Sequence, residues 1–272
     1  MILRKQNLQE KGKIGYTYLK IVKQLIEDKR IGTALKYHDS FPSIYKKAGN
    51  LSFKEIDVRF LKSFENWMVD KNGCSRAWVG SIFRHLRGAF NDAIEDGLLI
   101  KSPENYPFDK RRYKIPSVKK QKTAIKPENM AAFYEYTPTC PSEEKAKDYW
   151  FFMYFGNGMN PKDMCYIKWS DFNGQYISFI RAKSELTADT TVTITVFVND
   201  DIQRIIEKWG NTNKSLDSYL FPILQPGMNE LEQTLKVKRT TTSYVNGLTK
   251  FQKDYASLLF PLNIAEFNSH PI

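Results

Sequence analysis

The sequence lacks the features that mark membrane, secreted and zinc-dependent proteins. It has no run of about 18 apolar residues that could form a membrane-spanning helix, and its first residues, Met-Ile-Leu-Arg-Lys-Gln, contain no apolar signal segment. The three cysteines (Cys74, Cys140 and Cys165) are too few and too scattered for a disulfide framework or a zinc site. We therefore expect a cytoplasmic protein without a bound metal or a membrane partner.

The composition is that of a globular protein. Of the 272 residues, 42% are apolar and 26% are charged, which excludes a disordered or low-complexity chain. At roughly 150 residues per domain, the length predicts two domains, each able to form its own hydrophobic core.

Basic residues are concentrated in the N-terminal part of the chain. Residues 1–122 contain 26 Lys and Arg against 13 Asp and Glu, a net charge of +13, whereas the remaining 150 residues contain 15 and 17, a net of −2. The whole excess of +11 therefore lies in the first part. Such an uneven charge is typical of a protein that binds a polyanion. The alternative is a domain that is basic without a polyanionic partner.

Hydrophobic periodicity predicts a mainly α-helical fold with a small β-sheet, in the α+β class. The predicted helices are 15–30, 33–45, 56–68, 75–96, 148–156, 200–210 and 242–259, with further helix starts at Pro127 and, after an Asn160 N-cap, at Pro161. The predicted strands are 175–181 and 190–198.

The helix that begins after Ser75 carries the clearest candidate DNA-binding face. The residues on this face are Ser75, Arg76, Ser81, Arg84, Arg87, Gly88 and Asn91. Small residues between arginines let a helix approach a phosphate backbone while the guanidinium groups make forked contacts. A solvated basic face without a ligand is the alternative interpretation.

A basic, proline-containing stretch at 101–122 predicts a linker between the two domains. It includes Lys110–Lys114 and the candidate DNA-binding residues Lys119, Lys120 and Lys122, with no acidic residue after Asp109. A flexible basic segment gains affinity for DNA by releasing counterions; a solvated linker is the alternative. We assign residues 1–108 to a helical DNA-binding domain, 109–122 to the linker and 123–272 to a second domain.

The order of these parts resembles that of the tyrosine recombinases, the phage integrase family, and most closely the branch carried by conjugative transposons and related mobile elements. The resemblance covers residues 10 to about 255. It rests on Asn91–Ile94 followed by Gly97-Leu98-Leu99, on the basic linker leading into Lys122–Ile125, on the segments Asn157–Met164 and Ile167–Phe172, and on Ile180–Lys183. It implies a SAM-like helical core-binding domain followed by a catalytic domain.

The resemblance also implies a reaction. Members of this family exchange DNA strands without a metal or nucleotide cofactor, through attack of a tyrosine hydroxyl on a backbone phosphate. Arginines and a histidine stabilise the charge on the phosphoryl oxygens, and a lysine protonates the leaving hydroxyl, because phosphoryl transfer depends on positioning and electrostatic stabilisation. The implied partners are double-stranded DNA and other integrase protomers bound to it.

The catalytic positions of the family are only partly filled in this chain. Asn160 stands where the first arginine is expected, and its alternative role is a helix N-cap, with Lys162 as a nearby source of charge. Lys183 matches the β-hairpin lysine and is the candidate general acid; an ordinary exposed turn lysine is the alternative.

The C-terminal half of the family's site has no counterpart. The sequence contains no His-x-x-Arg, neither Tyr244 nor Tyr255 lies in the context of the nucleophile, and His270 is the only late histidine. His38 and His85 fall in the first domain, where we expect structural or surface roles. We expect a frameshift product, an early stop or a gene fragment rather than a natural short regulator.

The sequence therefore predicts a DNA-binding chain of recombinase and integrase lineage with an incomplete, truncated catalytic domain. Two alternatives remain open at this point. One is a non-catalytic protein that binds DNA and regulates an intact integrase; the other is a basic helical RNA-binding or protein-interaction module.

Overall fold

The structure, a computed structural model, describes residues 8–118, 127–181 and 193–254. These residues form two compact units, the first within 8–118 and the second from 127 to 254. None of the described helices is long and apolar enough to cross a membrane.

The first unit is helical. Its elements are α1 (Ile14–Glu27), α2 (Ile31–Ala48), α3 (Val58–Asn66) and α4 (Arg76–Glu95), with a 3-10 turn at Phe53–Glu55 and a π-helical turn at Trp67–Lys71. Ser52 and Glu55 form the capping box that their spacing predicts, and the backbone N–H of Ser52 donates to Glu55 Oε2 at 2.7 Å. This box begins the 3-10 turn; α3 starts later because Asp57 caps it, accepting from the N–H of Phe60.

The core of the first unit is built around α4. Every third or fourth side chain of this helix is buried, so that one face packs against α1 and α2 while the other faces outward. The buried members on α4 are Val79, Ile82, Phe83, Leu86, Ala89, Phe90 and Ala93. The helix predicted at 75–96 is thereby confirmed, and the structure shows that Ser75 is its N-cap.

The segment 102–116, which we call the strap, packs against α4. Tyr106, Phe108 and Tyr113 are each less than 10% exposed and belong to the same core as Phe83 and Phe90. The expectation of a flexible linker is therefore wrong for this part of the stretch, because three buried aromatic side chains hold it to the first unit. Residues 119–122 of the predicted linker lie outside the described residues.

The second unit combines helices with a small sheet. Its elements are α5 (Pro127–Glu135), α6 (Pro141–Phe155), α7 (Pro161–Tyr166), β1 (Tyr176–Ile180), β2 (Thr193–Phe197), α8 (Asp200–Trp209) and α9 (Glu230–Asp254). The strands are antiparallel, with Tyr176 opposite Phe197 and Ile180 opposite Thr193. The predicted fold class, mainly α with a small sheet, is confirmed.

Helix α9 is longer than the sequence pattern predicts. It begins at Glu230 rather than near residue 242, after a reciprocal cap in which Asn229 Oδ1 accepts from the N–H of Glu232 and Glu232 Oε2 accepts from the N–H of Asn229, both at 3.0 Å. It approaches α6 closely at Gly247, where a Cβ would lie 2.9 Å from that of Ala146. Apolar side chains are sparse in its first turns, so periodicity alone did not reveal them.

Candidate functional site

Three arginines on α4 form the outward face of the first unit. Arg76, Arg84 and Arg87 are exposed, in contrast to the core side chains of the same helix. Their positions span 11 residues, or about 16 Å along the helix axis. A row of guanidinium groups at this spacing can contact several phosphates of a nucleic-acid backbone.

The polar residues predicted on the same face serve the protein itself. Ser75 Oγ accepts from the N–H of Trp78 at 3.2 Å as the N-cap of α4, and Asn91 Oδ1 accepts from the hydroxyl of Tyr106 at 2.7 Å. Both side chains thus have structural partners, while Ser81 is half-buried. Of the candidates on this helix, the arginines are the ones whose charge is presented outward.

The glycines of α4 permit close approach by the chain itself, not by a phosphate backbone as the sequence suggested for Gly88. A Cβ on Gly88 would lie 2.1 Å from the hydroxyl oxygen of Tyr37, and one on Gly80 would lie 2.1 Å from the carbonyl oxygen of Pro116. At Gly80 a side chain would have to displace a backbone carbonyl, and at Gly88 it would have to displace a tyrosine hydroxyl, so both glycines serve internal packing.

His85 does not add charge to the arginine face. Its ring lies 4.7 Å from that of Tyr37, and its Nδ1 is buried without a hydrogen-bond partner among the described residues. Burial, together with the positive charges of Lys36 and Arg84, lowers the pKa of His85 to about 4. The side chain is therefore neutral at pH 7.

Basic residues of the strap were not chosen as site residues from the sequence. Lys110, Arg111, Arg112 and Lys114 are exposed on a segment that is fixed against α4. The alternation of these cations with Tyr106, Phe108 and Tyr113 is the signal that could have found them. Three other candidates, Lys119, Lys120 and Lys122, lie outside the described residues.

In the second unit, Asn160 acts as a helix cap. Its Oδ1 accepts from the N–H of Asp163 at 3.0 Å and its Nδ2 donates to the Asp163 carboxylate, while Pro161 occupies the first position of α7. The amide is thus engaged at both ends. Lys162 is exposed, with Nζ 5.4 Å from the centre of the Tyr166 ring. The N-cap interpretation of Asn160 is confirmed, and the cap supplies no positive charge for a phosphate.

Arg181 follows the first strand of the β-hairpin and is exposed, and the described residues resume at Thr193 in β2. The candidate general acid, Lys183, lies outside the described residues. One face of the hairpin is exposed and partly apolar, with Tyr176 and Phe197 paired across the strands at 5.7 Å and Ile180 beyond them.

Tyr244 does not present a nucleophile. It lies in α9, only 7% exposed, and its hydroxyl is buried without a hydrogen-bond partner among the described residues. Burial raises its pKa above the ordinary value for tyrosine, which disfavours the phenolate. Tyr255 and His270 lie outside the described residues, and His38 lies in α2 with Nδ1 3.2 Å from Asp39.

Metal ligands do not cluster in the described part of the chain. Over residues 8–118, 127–181 and 193–254, no group of three or more His, Cys, Asp or Glu side chains could hold a metal ion. Cys74, Cys140 and Cys165 are all free thiols.

Comparison with known proteins gives a family match in the first unit and a similarity of fold over both units. Residues 17–114 match the family described as the phage integrase SAM-like domain. Lambda integrase bound to DNA has the same fold, with a TM-score of 0.56 at 14% identity over 91% of this chain and 80% of that one. The Tn1549 transposon integrase in complex with circular intermediate DNA gives 0.56 at 16% identity, over 92% and 82%.

A third similar structure is a lambda integrase tetramer bound to a Holliday junction, with a TM-score of 0.52 at 14% identity. The match covers 84% of this chain but 63% of that protein, so this chain spans less than two thirds of its length. No curated protein sequence matches the chain. Residues 17–114 thus match the phage integrase SAM-like domain family, and the fold of the chain is similar to that of DNA-bound integrases over most of its length.

Proposed function

We propose that this chain binds double-stranded DNA within the site-specific recombination and integration system of a mobile element. The observation that carries the proposal is the row of exposed arginines on α4, inside the part of the chain that matches the integrase SAM-like domain. The structural neighbours support it, because they are integrases bound to DNA and include a dimer and a tetramer. Other integrase protomers on the same DNA are the proposed protein partners.

The proposed domain arrangement follows from the packing of the strap. Residues 8–116 act as the core-binding domain, the linker is confined to the residues after 116, and the catalytic-type domain begins near Pro127. We place the activity in the cytoplasm, and the three free thiols support a reducing compartment.

We further propose that the 272-residue polypeptide does not complete strand cleavage by itself. Asn160 is engaged as a cap where the family has an arginine, and the hydroxyl of Tyr244 is buried. These two observations favour, as a second candidate, a protein that occupies recombination sites and regulates an intact integrase. In both cases DNA binding by the first unit is the primary activity.

DNA affinity should depend on the α4 arginines. We expect the Arg84→Ala/Arg87→Ala variant to bind a 30-base-pair duplex about 10- to 100-fold more weakly than the wild type, with the slope of log affinity against log salt reduced by about 2. Fluorescence anisotropy between 50 and 200 mM salt measures both quantities. The control is Lys46→Ala/Lys54→Ala, which removes the same charge from exposed residues outside α4.

Two results would contradict this proposal. One is wild-type binding that does not change with salt; the other is equal affinity for RNA and DNA duplexes of the same sequence, which would instead support an RNA-binding module.

Strand cleavage should be absent. Incubated with a nicked duplex that traps covalent intermediates, the purified chain is expected to give no protein–DNA adduct on a denaturing gel, because the described tyrosine of α9 cannot reach a phosphate. A Tyr244→Phe variant serves as the matched control and should bind DNA with the affinity of the wild type. An adduct formed by the wild type would refute the proposed inactivity and leave DNA binding intact.

A further inference from the structure

The strap runs back along α4 in the opposite direction to the helix. Tyr106 donates to Asn91 near the C-terminal end of α4, Tyr113 packs edge-on against Phe83 at 5.3 Å, and Pro116 lies over Gly80. The contacts therefore progress from residue 91 to residue 80, which corresponds to about 16 Å of helix. The strap and the arginine row lie along the same length of α4.

Two contacts hold the C-terminal end of the strap to the rest of the unit, one at Tyr113 and one at Pro116. The hydroxyl of Tyr113 donates to Glu65 Oε2 on α3 at 2.5 Å, and the backbone N–H of Tyr113 donates to the carbonyl of Pro107 at 3.1 Å. Beyond them, the carbonyl of Pro116 comes so close to α4 that only a glycine fits at residue 80. We call the Glu65–Tyr113 bond and the Gly80–Pro116 contact the clasp.

The clasp fixes cations beside the arginines of α4. Four basic residues of the strap are exposed and lie in the sequence between Phe108 and Pro116: Lys110, Arg111, Arg112 and Lys114. Burial raises the pKa of both Tyr113 and Tyr106. The charge of Arg76 lowers the pKa of Tyr113, and the charge of Arg87 lowers that of Tyr106. The arginine row is thus electrostatically close to both ends of the strap.

We infer that the strap is a second, preordered row of phosphate-binding cations beside the α4 arginines, and that Gly80 and Tyr113 are positioning residues for it. This inference rests on the proposed DNA binding. The ligand is the polyanionic backbone of duplex DNA, which both rows contact without reading bases.

Order in the strap has a measurable consequence for affinity. A flexible basic segment gives up backbone conformational freedom when it binds, and this loss of entropy opposes binding. In this chain the backbone of the strap is already fixed by the clasp and by the buried rings. A released strap therefore retains its charge but binds DNA more weakly.

The charge of the strap is tested by Arg111→Ala/Arg112→Ala. We expect about a tenfold loss of affinity for the 30-base-pair duplex at 100 mM salt, and a decrease of about 2 in the salt slope, since each phosphate contact contributes about 0.9. The control is again Lys46→Ala/Lys54→Ala, which removes two charges outside the strap. A slope equal to that of the wild type would overturn the assignment of the strap as a phosphate-binding row.

The clasp is tested by Gly80→Ala. Alanine is the better helix former, so α4 itself is not weakened, but the new Cβ must displace Pro116. We expect DNA affinity to fall about fivefold with the salt slope nearly unchanged. In the free protein, trypsin should cleave at Lys110–Lys114 about tenfold faster, because local opening exposes the strap.

Gly32→Ala is the matched control, because a Cβ at Gly32 in α2 would meet nothing within 4 Å. It should change neither affinity nor cleavage. If Gly80→Ala accelerates cleavage and leaves affinity unchanged, the positioning role is wrong although DNA binding stands. If the wild type binds no DNA, the proposed function itself fails, and the trypsin comparison still reports whether the clasp holds the strap.

Discussion

Replacing Asp148 by alanine is expected to lower the free energy of unfolding of the second unit by about 3 kcal/mol. Asp148, on α6, is only 5% exposed. Its carboxylate accepts from Arg204 Nη2 at 2.9 Å and from Trp209 Nε1 at 2.7 Å, with Lys208 Nζ at 3.4 Å. It is thus the shared partner of three donors on α8. Its removal leaves the indole N–H without an acceptor and takes the nearest carboxylate away from Arg204.

The control for this variant is Glu144→Ala. Glu144 also pairs with Lys208, but both side chains are more than 30% exposed, so we expect a loss of less than about 0.5 kcal/mol. Hydrogen exchange of α6 and α8 in the full chain measures both changes. A loss for Asp148→Ala no larger than that for Glu144→Ala would contradict the proposed role of the buried carboxylate.

The same group gives the second unit a defined dependence on pH. Burial alone would raise the pKa of Asp148, but hydrogen bonds from Arg204 and Trp209 and the charges of Arg204 and Lys208 outweigh it, and the pKa is lowered. The unfolded chain therefore binds this proton more tightly than the folded chain. The stabilisation is present above about pH 4 and is lost as pH falls through the folded-state pKa, so wild type and Asp148→Asn should converge in stability there.

Replacing Phe90 by alanine is expected to lower the free energy of unfolding of the first unit by about 4 kcal/mol. The ring is fully buried on α4, with centroids 4.9 Å from Phe53, 5.5 Å from Phe108 and 5.9 Å from Tyr106. A cavity at this position removes edge-to-face contacts and the support for two aromatic residues of the strap. Urea denaturation monitored by hydrogen exchange in α4 measures the loss.

Phe60→Ala is the matched comparison for Phe90→Ala. Phe60 lies on α3 in the same unit, is half-buried and contacts Phe64 at 6.1 Å. We expect a loss of about 1 kcal/mol, because less apolar surface is exposed and water can fill the space. Equal losses for the two variants would show that the strap and α4 do not form one core.

Features set by short-range chemistry were the ones that the sequence predicted well. Helix α4 was found from its Ser75 cap and its apolar stripe, and α7 from the Asn160-Pro161 start. Both start signals lie within four residues of the helix end, and the apolar stripe of α4 lies within the helix itself, so that no knowledge of distant contacts is needed. The two-stranded hairpin follows from alternation in the same way.

Features set by distant contacts were missed or misinterpreted. The strap reads as a basic linker because its charges dominate the composition, whereas its structure is decided by the packing of Tyr106 and Tyr113 against α4. Likewise, Gly88 contacts Tyr37 and Asn91 accepts from Tyr106 because of which elements pack together, and the sequence does not show this. Periodicity identifies the exposed side of a helix but does not say which part of the chain covers it.

The position of the strap in the chain sets an order of events during synthesis. A nascent polypeptide that has released only residues 1–100 from the ribosome leaves Phe83 and Phe90 without the rings of Tyr106, Phe108 and Tyr113. At roughly 5–20 residues per second, the missing segment emerges about a second later. The first unit therefore completes its core only after the strap has emerged, and until then the rings of Phe83 and Phe90 lack the aromatic side chains that cover them.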